Sequence, residues 1–563
     1  MASTAALPPD DLPLRTADGW KHRRALLIAI GIFSALSIYC AVKSQGFLEA
    51  DAMTHYMFSR HSFAEWPYFV NVWGRPLCTA AYAIPANLFS DVRSSVIAVR
   101  ITSLILAILC GLVTYRVAKD QGFKRPELAA ILLFAQPLFF CHSWSELTEI
   151  PFALLAILAF RAYQTKRYFW MTVLISITPA GRPEGAGLMV MAALGLLLHA
   201  RWYYLFLMPV PLLIWGFFGA FSWSGWASIL WWPYQDAWWS WVPRNLPYSA
   251  KSAYGNGPWY HFLVRLPILL SPMMFPFFFL GVSDMVRRIL IKARLAQFAP
   301  GVPSQVNVTY ARADTVPIPE QPRAPFNLTL FTDHRIRCEL VILSIPLSIF
   351  FVHSFLWWQG LMASNGELRY LLCVAPFWAL IVARGWEWVW DRFKLPAPLI
   401  IAGLFALAPM VANRFWKVVP LPMYENDVMG KCAADWYREH PTLSKAYPKV
   451  MATPPSLYFF MDLSQSNTAR AETWGPENVK KLPAGTILFW DPIFGTSNAD
   501  ATRVINQQTV EKAGWVWIGN VVYGGSWCNV YLSPMDINGQ RVVDAENKLI
   551  DPGKYVAPGR VSE

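Results

Sequence analysis

Apolar residues in this chain run in long blocks separated by short polar loops. A helix needs about 20 mostly apolar residues to cross a bilayer. The first such block is Arg24 to Val42, preceded by Lys21, His22 and Arg23. A basic flank before an apolar run also suits a secretory signal. This run is long for one, and no small-x-small cleavage site follows Cys40. It is therefore expected to be a retained signal-anchor with a cytoplasmic N-terminus. Further spans are expected near 94–117, 127–143, 151–164, 169–180, 185–200, 202–221, 261–284, 338–357, 370–385 and 397–413. The total is about eleven spans. Phe169 to Ala200 reads as two short spans broken at Pro179–Gly185, or as a re-entrant pair.

After Trp416 the pattern changes. Val428 to His440 has helical spacing, while Lys449–Ala452, Thr486–Trp490 and Trp515–Ile518 read as short buried strands. Asp500 to Ala513 reads as a helix between two of them. The expected architecture is a polytopic all-α membrane bundle over 1–413, followed by an α/β domain over 414–563.

Composition sharpens this picture. Charged residues make up 15%, hydrophobic residues 55%, and mean hydropathy is +0.31. Ordinary soluble domains carry roughly 25% charged residues, so a soluble globule, a disordered chain and a coiled coil are all excluded. The net charge of +12 is spread over short loops, which speaks against nucleic-acid binding. Lys and Arg concentrate around Arg116–Arg125, Arg161–Arg167, Arg201, Arg287–Arg337 and Arg384–Lys394. The positive-inside rule puts those segments in the cytoplasm, and an odd number of spans then places the C-terminal domain outside. Two glycosylation sequons, at Asn307 and Asn327, fall in a loop assigned to the inside and are read as chance matches. The Trp-dense loop 222–260 is expected to lie on the membrane surface.

Four polar clusters fall at the outer ends of spans. The first, Phe47-Leu-Glu-Ala-Asp-Ala-Met-Thr-His-Tyr56, holds Glu49, Asp51, His55 and Tyr56, with Trp73-Gly-Arg-Pro76 later in the same loop. The second, Ala180-Gly-Arg-Pro-Glu-Gly-Ala-Gly187, sets Arg182 and Glu184 inside the most apolar part of the chain. The third is Asn365-Gly-Glu-Leu-Arg-Tyr370. The fourth is the tight turn His142–Glu149. A lone interfacial acid is usually just solvated, and a self-contained pair is the lesser alternative for Arg182 with Glu184. Polar groups at a membrane mouth are more often functional, because leaving them unpaired in lipid is costly.

The order of these motifs resembles the GT-C superfamily of integral-membrane glycosyltransferases, nearest to its protein O-mannosyltransferase-like and arabinofuranosyltransferase-like bacterial members. The motifs are an acid-x-Asp-Ala-x-x-x-Tyr after the first span, Arg-Pro-Glu-Gly at a mid-chain span, and Arg-Tyr-Leu-Leu opening a late span. The resemblance implies inverting transfer of a hexosyl or pentosyl group. The donor would be a polyprenyl-phosphate sugar and the acceptor a hydroxyl on a lipid, glycan or protein, at the outer face of what is expected to be a bacterial inner membrane. Asp51 matches the family's catalytic acid. Where many relatives carry a second acid beside it, this chain has Ala52, and the other acid is Glu49.

The chemistry suits these residue types. A carboxylate takes the proton of a weakly nucleophilic hydroxyl, and Arg offers a planar fork to a leaving phosphate. Donor-binding candidates are Arg369, Arg182, Glu184, Arg244, Lys251, His55 and Tyr56. No cofactor is implied, no metal ligands are assigned, and the question of a divalent cation stays open. The rival reading is a transporter or lipid-linked-sugar flippase. It fits less well, because no internal repeat is visible and the polar clusters sit at span ends. The eight Cys show no metal-ligand spacing. Cys432 and Cys528 are read as separate thiols, with a bridge between them as the alternative.

Overall fold

The computed structural model describes residues 18–71, 74–224, 255–298, 333–361, 365–393, 397–472, 474–496, 505–544 and 548–551. The helices of the bundle are α1 Asp18–Lys43, α2 Ala50–His61, α3 Pro76–Ala86, α4 Val92–Asp120, α5 Glu127–Phe134, α6 Pro137–His142, α7 Glu149–Gln164, α8 Tyr168–Gly181, α9 Gly185–Leu198, α10 Val210–Ser224, α11 His261–Leu270, α12 Phe275–Phe298, α13 His334–Gln359, α14 Arg369–Leu372, α15 Ala375–Phe393 and α16 Ala397–Trp416. Among the described residues four helices are long and apolar enough to cross a membrane: Arg23–Lys43, Val92–Asp120, Trp202–Gly219 and His334–Gln359. A fifth is counted if α11 and α12, bent by 103°, form one span. The structure therefore supports an integral membrane protein without establishing eleven spans.

The shortfall comes from breaks. The expected span 127–143 is two helices, because Gln136 is extended and Pro137 starts α6. A residue before proline is pushed out of the helical region, and proline itself supplies no N–H. The freed Gln136 side chain donates to the Ala375 carbonyl. Likewise α8 and α9 are two short helices packed on each other, with the break at 182–184.

Close helix packing rests on glycine at the α12–α15 crossing. A Cβ on Gly385 would lie 1.9 Å from the Phe277 carbonyl oxygen, and one on Gly281 would lie 1.9 Å from that of Ile381. Small residues let helix backbones meet in this way. Gly385→Ala is therefore expected to cost about 1–3 kcal/mol of stability, read as a lower thermal midpoint in detergent. Gly187→Ala, where nothing lies within 4 Å, is the control; an equal effect at both positions would refute the packing account.

Beyond α16, helix α17 (Glu425–Glu439) precedes a four-stranded sheet of order β1-β2-β4-β3, with β1 Lys449–Ala452, β2 Thr486–Trp490, β3 Val516–Tyr523 and β4 Ser526–Leu532. Strands β1 and β2 run parallel; β4 pairs antiparallel with both β2 and β3. One expectation is corrected here, and one strand is new. The helix expected from Asp500 is observed over Gln507–Ala513, because the Asn506 side chain caps it by accepting from the Thr509 N–H; residues 497–504 lie outside the described set. Strand β4 was not legible, since Ser526 and Asn529 interrupt its apolar pattern; it is central in the sheet, and Asn529 is buried against the Tyr531 hydroxyl. Cys432 and Cys528 are both free thiols.

The sheet domain docks on the loop that carries α2. Phe459 sits between Phe47 and Tyr56, at ring-centre distances of 4.9 and 5.6 Å. Each such aromatic pair adds roughly 0.5–1.5 kcal/mol beyond its buried area. Arg60 bonds Asp462, and Ser464 donates to Glu65 and meets the Tyr68 hydroxyl. The domain thus packs against the loop holding Glu49 and Asp51.

Candidate active site

Helix α2 starts at Ala50 with Glu49 in the capping position. A capping side chain normally turns back to the helix N–H groups. That of Glu49 does not; it reaches Arg369, with Oε2 2.5 Å from Nη1. Asp51, in the first turn of α2, accepts from Nη2 of the same guanidinium at 2.8 Å. Glu367 takes the Nε donor, and its other oxygen is held by Asn365, which in turn accepts from the Tyr370 hydroxyl at 2.9 Å. One arginine fork thus gathers three carboxylates from two segments of the chain. The Arg369 side chain is 12% exposed, while Glu49 and Asp51 are each 30% exposed, so the acids line an accessible mouth with the cation behind them.

A second cluster lies beside the first. Arg182 bonds Glu149, donates to the Thr148 hydroxyl at 3.0 Å, and meets Glu184 at 3.1 Å. His353 Nε2 is 3.5 Å from Glu184. The two clusters join through Tyr370: the His353 ring stacks on it at 4.8 Å and 8°, and the Arg182 guanidinium lies 5.6 Å from its centre. All four polar motifs therefore converge. Arg182 and Glu184 do pair with each other, and they also hold groups from two other helices.

The other candidates are placed differently or lie outside the described residues. Tyr56 packs against Phe47 and Phe459 and gives its hydroxyl to Ser95 at 2.9 Å, so it serves the domain seam. His55, one turn beyond Asp51, is buried, and its Nδ1 has no hydrogen-bond partner among the described residues. Arg244, Lys251, Trp73, the Trp-rich stretch 231–241 and both sequons lie outside the described residues. No group of three or more His, Cys, Asp or Glu placed to hold a metal ion occurs among the described residues. His353 was missed by the sequence reading; it is a lone ionisable residue in an apolar run, the signal that should have marked it.

The environment separates the two acids at the mouth. Burial pushes the Glu49 carboxyl up to about 8; Arg369 opposes this, and the charges of Glu367, Glu149 and Asp51 add to it. Burial acts the same way on Asp51, but Arg369, His55 and Arg75 outweigh it and hold Asp51 below its ordinary value. Near neutral pH Glu49 is mostly protonated and Asp51 ionised. Paired carboxylates pushed apart in this way divide into acid and base roles. Above pH 8 Glu49 ionises and adds negative charge beside Arg369. Activity that needs Arg369 to face an anion should therefore fall above pH 8. Glu49→Gln should flatten that alkaline limb, and an unchanged limb in the pH–rate profile would count against the assignment.

No protein-family model matches the chain, and no curated protein matches it. Solved structures do. ArnT from Cupriavidus metallidurans in the apo state superposes with a TM-score of 0.52 at 10% identity, over 90% of this chain and 98% of that one. ArnT from the same organism bound to undecaprenyl phosphate gives 0.50 at 11% identity, over 92% and 98%. At this level of identity the likeness carries the fold alone. Over about nine-tenths of its length, this chain shares the fold of these two ArnT structures.

Proposed function

We propose that the protein is an inverting glycosyltransferase that moves a sugar from a polyprenyl-phosphate donor to an acceptor hydroxyl at the extracytoplasmic membrane face. The observation that carries this reading is the meeting of Asp51 and Glu49 with Arg369, 318 residues beyond Asp51, at one accessible mouth. The undecaprenyl phosphate in the ArnT structure supports a donor of that class, and the distribution of Lys and Arg supports the orientation.

In the step itself, the acceptor oxygen attacks the anomeric carbon from the face opposite the phosphate. Asp51 takes the hydroxyl proton as the new C–O bond forms. The bond from the anomeric carbon to the phosphate oxygen breaks, and the lipid phosphate leaves with that electron pair. Arg369 and Arg182 supply positive charge to the leaving group. Both guanidinium groups are already bonded to carboxylates, so the phosphate has to share them. Protonated Glu49 eases this, because it takes one negative charge away from beside Arg369.

The test is transfer by purified protein in nanodiscs, using radiolabelled polyprenyl-phosphate hexoses and pentoses and a membrane extract as acceptor. Product formation that depends on Asp51 supports the reading. Translocation of the intact lipid-linked sugar without a new glycosidic bond would replace it with the flippase.

A further inference from the structure

The last carbonyls of a helix lack intrahelical partners. At the end of α1 they are captured by two arginines of α4. Arg93 donates to the carbonyls of Ser44 at 2.9 Å and Val42 at 2.5 Å. Arg100, two turns along the same face, donates from Nη1 to Ala41 at 3.2 Å and Ser44 at 3.0 Å, and from Nη2 to Gly46 at 2.7 Å. Its Nε bonds Glu146 at 2.7 Å, and both side chains are 1% exposed. The guanidinium also lies against the rings of Phe47 and Trp144. A buried ion pair is weak support for stability, and capping α1 alone does not require reaching Gly46, three residues past the helix end.

The other side of this loop is held too. The N–H groups of Gln45 and Gly46 donate to the Leu421 carbonyl at 3.0 and 3.4 Å, and Leu421 N–H donates to the Ser44 hydroxyl at 2.9 Å. A Cβ on Gly46 would lie 2.1 Å from the Pro422 carbonyl oxygen. Residues 44–46 are thus clamped between Arg100 and the segment leading into α17, and Glu49 and Asp51 follow directly. Glu146 lies three residues before Glu149, the partner of Arg182, so one short turn anchors the mounts of both clusters.

We propose that Arg100, held by Glu146, is a positioning residue for sugar transfer: by fixing the Gly46 carbonyl it sets where Glu49 and Asp51 meet Arg369. This rests on the proposed role of Asp51 as base. Arg100 touches no reacting atom. Its effect is geometric, and a displacement of about 1 Å in a catalytic group can cost 10²-fold in rate.

The experiment compares full-length wild type, Arg100→Met/Glu146→Leu, Arg100→Lys, Gly46→Ala and Asp51→Asn in detergent. It measures kcat, the donor KM, the thermal midpoint and hydrogen exchange over 44–51. The double substitution removes both charges, so no unpaired ion stays buried. Lys keeps a bond to Glu146 but cannot span three carbonyls. Gly46→Ala displaces the loop from the opposite side and keeps Arg100, which holds the test open if both Arg100 variants misfold. The expected result is a kcat at least about tenfold lower with donor KM within about twofold, and faster exchange confined to 44–51. Folded Arg100 variants, or Gly46→Ala, with wild-type kcat overturn the proposal. If Asp51→Asn is inactive while those variants are fully active, only the positioning role fails. If Asp51→Asn itself retains transfer, the functional reading fails and the positioning role goes with it.

Discussion

Asp51→Asn is expected to lower sugar transfer by at least about 10²-fold, the usual effect of losing a general base, with expression and thermal midpoint close to wild type. Asn keeps the shape of the side chain and can still lie against the Arg369 guanidinium, but it cannot take a proton. The size of the effect follows from geometry. Asp51 is ionised near neutral pH, opens onto the mouth, and uses Oδ2 for Arg369, which leaves Oδ1 for a hydroxyl. Its depressed value also fixes the pH window. The base is present above the ordinary carboxylate range and is lost only as pH falls below it, so the acid limb of the rate profile should lie below that range. Glu49→Gln should cost far less, because Glu49 is already mostly protonated at neutral pH. A purified Asp51→Asn protein turning over at near-normal rate would sink the assignment.

Arg369→Ala is expected to remove transfer almost entirely and to weaken the fold. Without the guanidinium, Glu49, Asp51 and Glu367 face one another with no shared counter-ion. Removing one partner of a buried pair costs about 3–5 kcal/mol, and partial exposure of these acids puts the cost near the lower end. The Asp51 carboxyl should then rise toward or above its ordinary value, moving the acid limb of any residual activity upward. Arg369→Lys should restore folding better than rate: a single ammonium can neutralise the acids, but it cannot hold three of them in the planar arrangement of the fork. Donor binding, followed with undecaprenyl phosphate, separates the roles. Unchanged affinity in a folded Arg369→Lys protein would shift phosphate binding to Arg182.

These two outcomes also separate a catalytic cluster from an ordinary interfacial ion pair. A purely structural Arg369 would lose midpoint and rate together and would leave the pH profile alone. A catalytic one shifts the acid limb, because the Asp51 carboxyl is held down chiefly by that cation.

The sequence by itself determined where apolar blocks lie, that the chain is a membrane protein with a different kind of domain after Trp416, and which polar motifs were out of place. Those are local properties. A charge in an apolar run is costly wherever the chain goes next, so Asp51, Arg182 and Arg369 stand out unaided. Strands β1 and β2 were legible for the same reason, as short apolar runs between breakers. The partner that offsets each cost is not local, and only the tertiary structure decided it. Arg369 is matched to acids some 318 residues away. Arg182 is matched to Glu149 as well as to its neighbour Glu184. Tyr56 sits in the motif beside Asp51 yet faces Ser95 and the domain seam. Strand β4 exists because neighbours on both sides bury a sequence that has no clear period of its own. Span 127–143 was divided at Pro137, and Arg100 found its carbonyls at the end of a different helix. The physical reason is common to all of them. Composition states that a polar group must be satisfied; the folded chain states by which atoms.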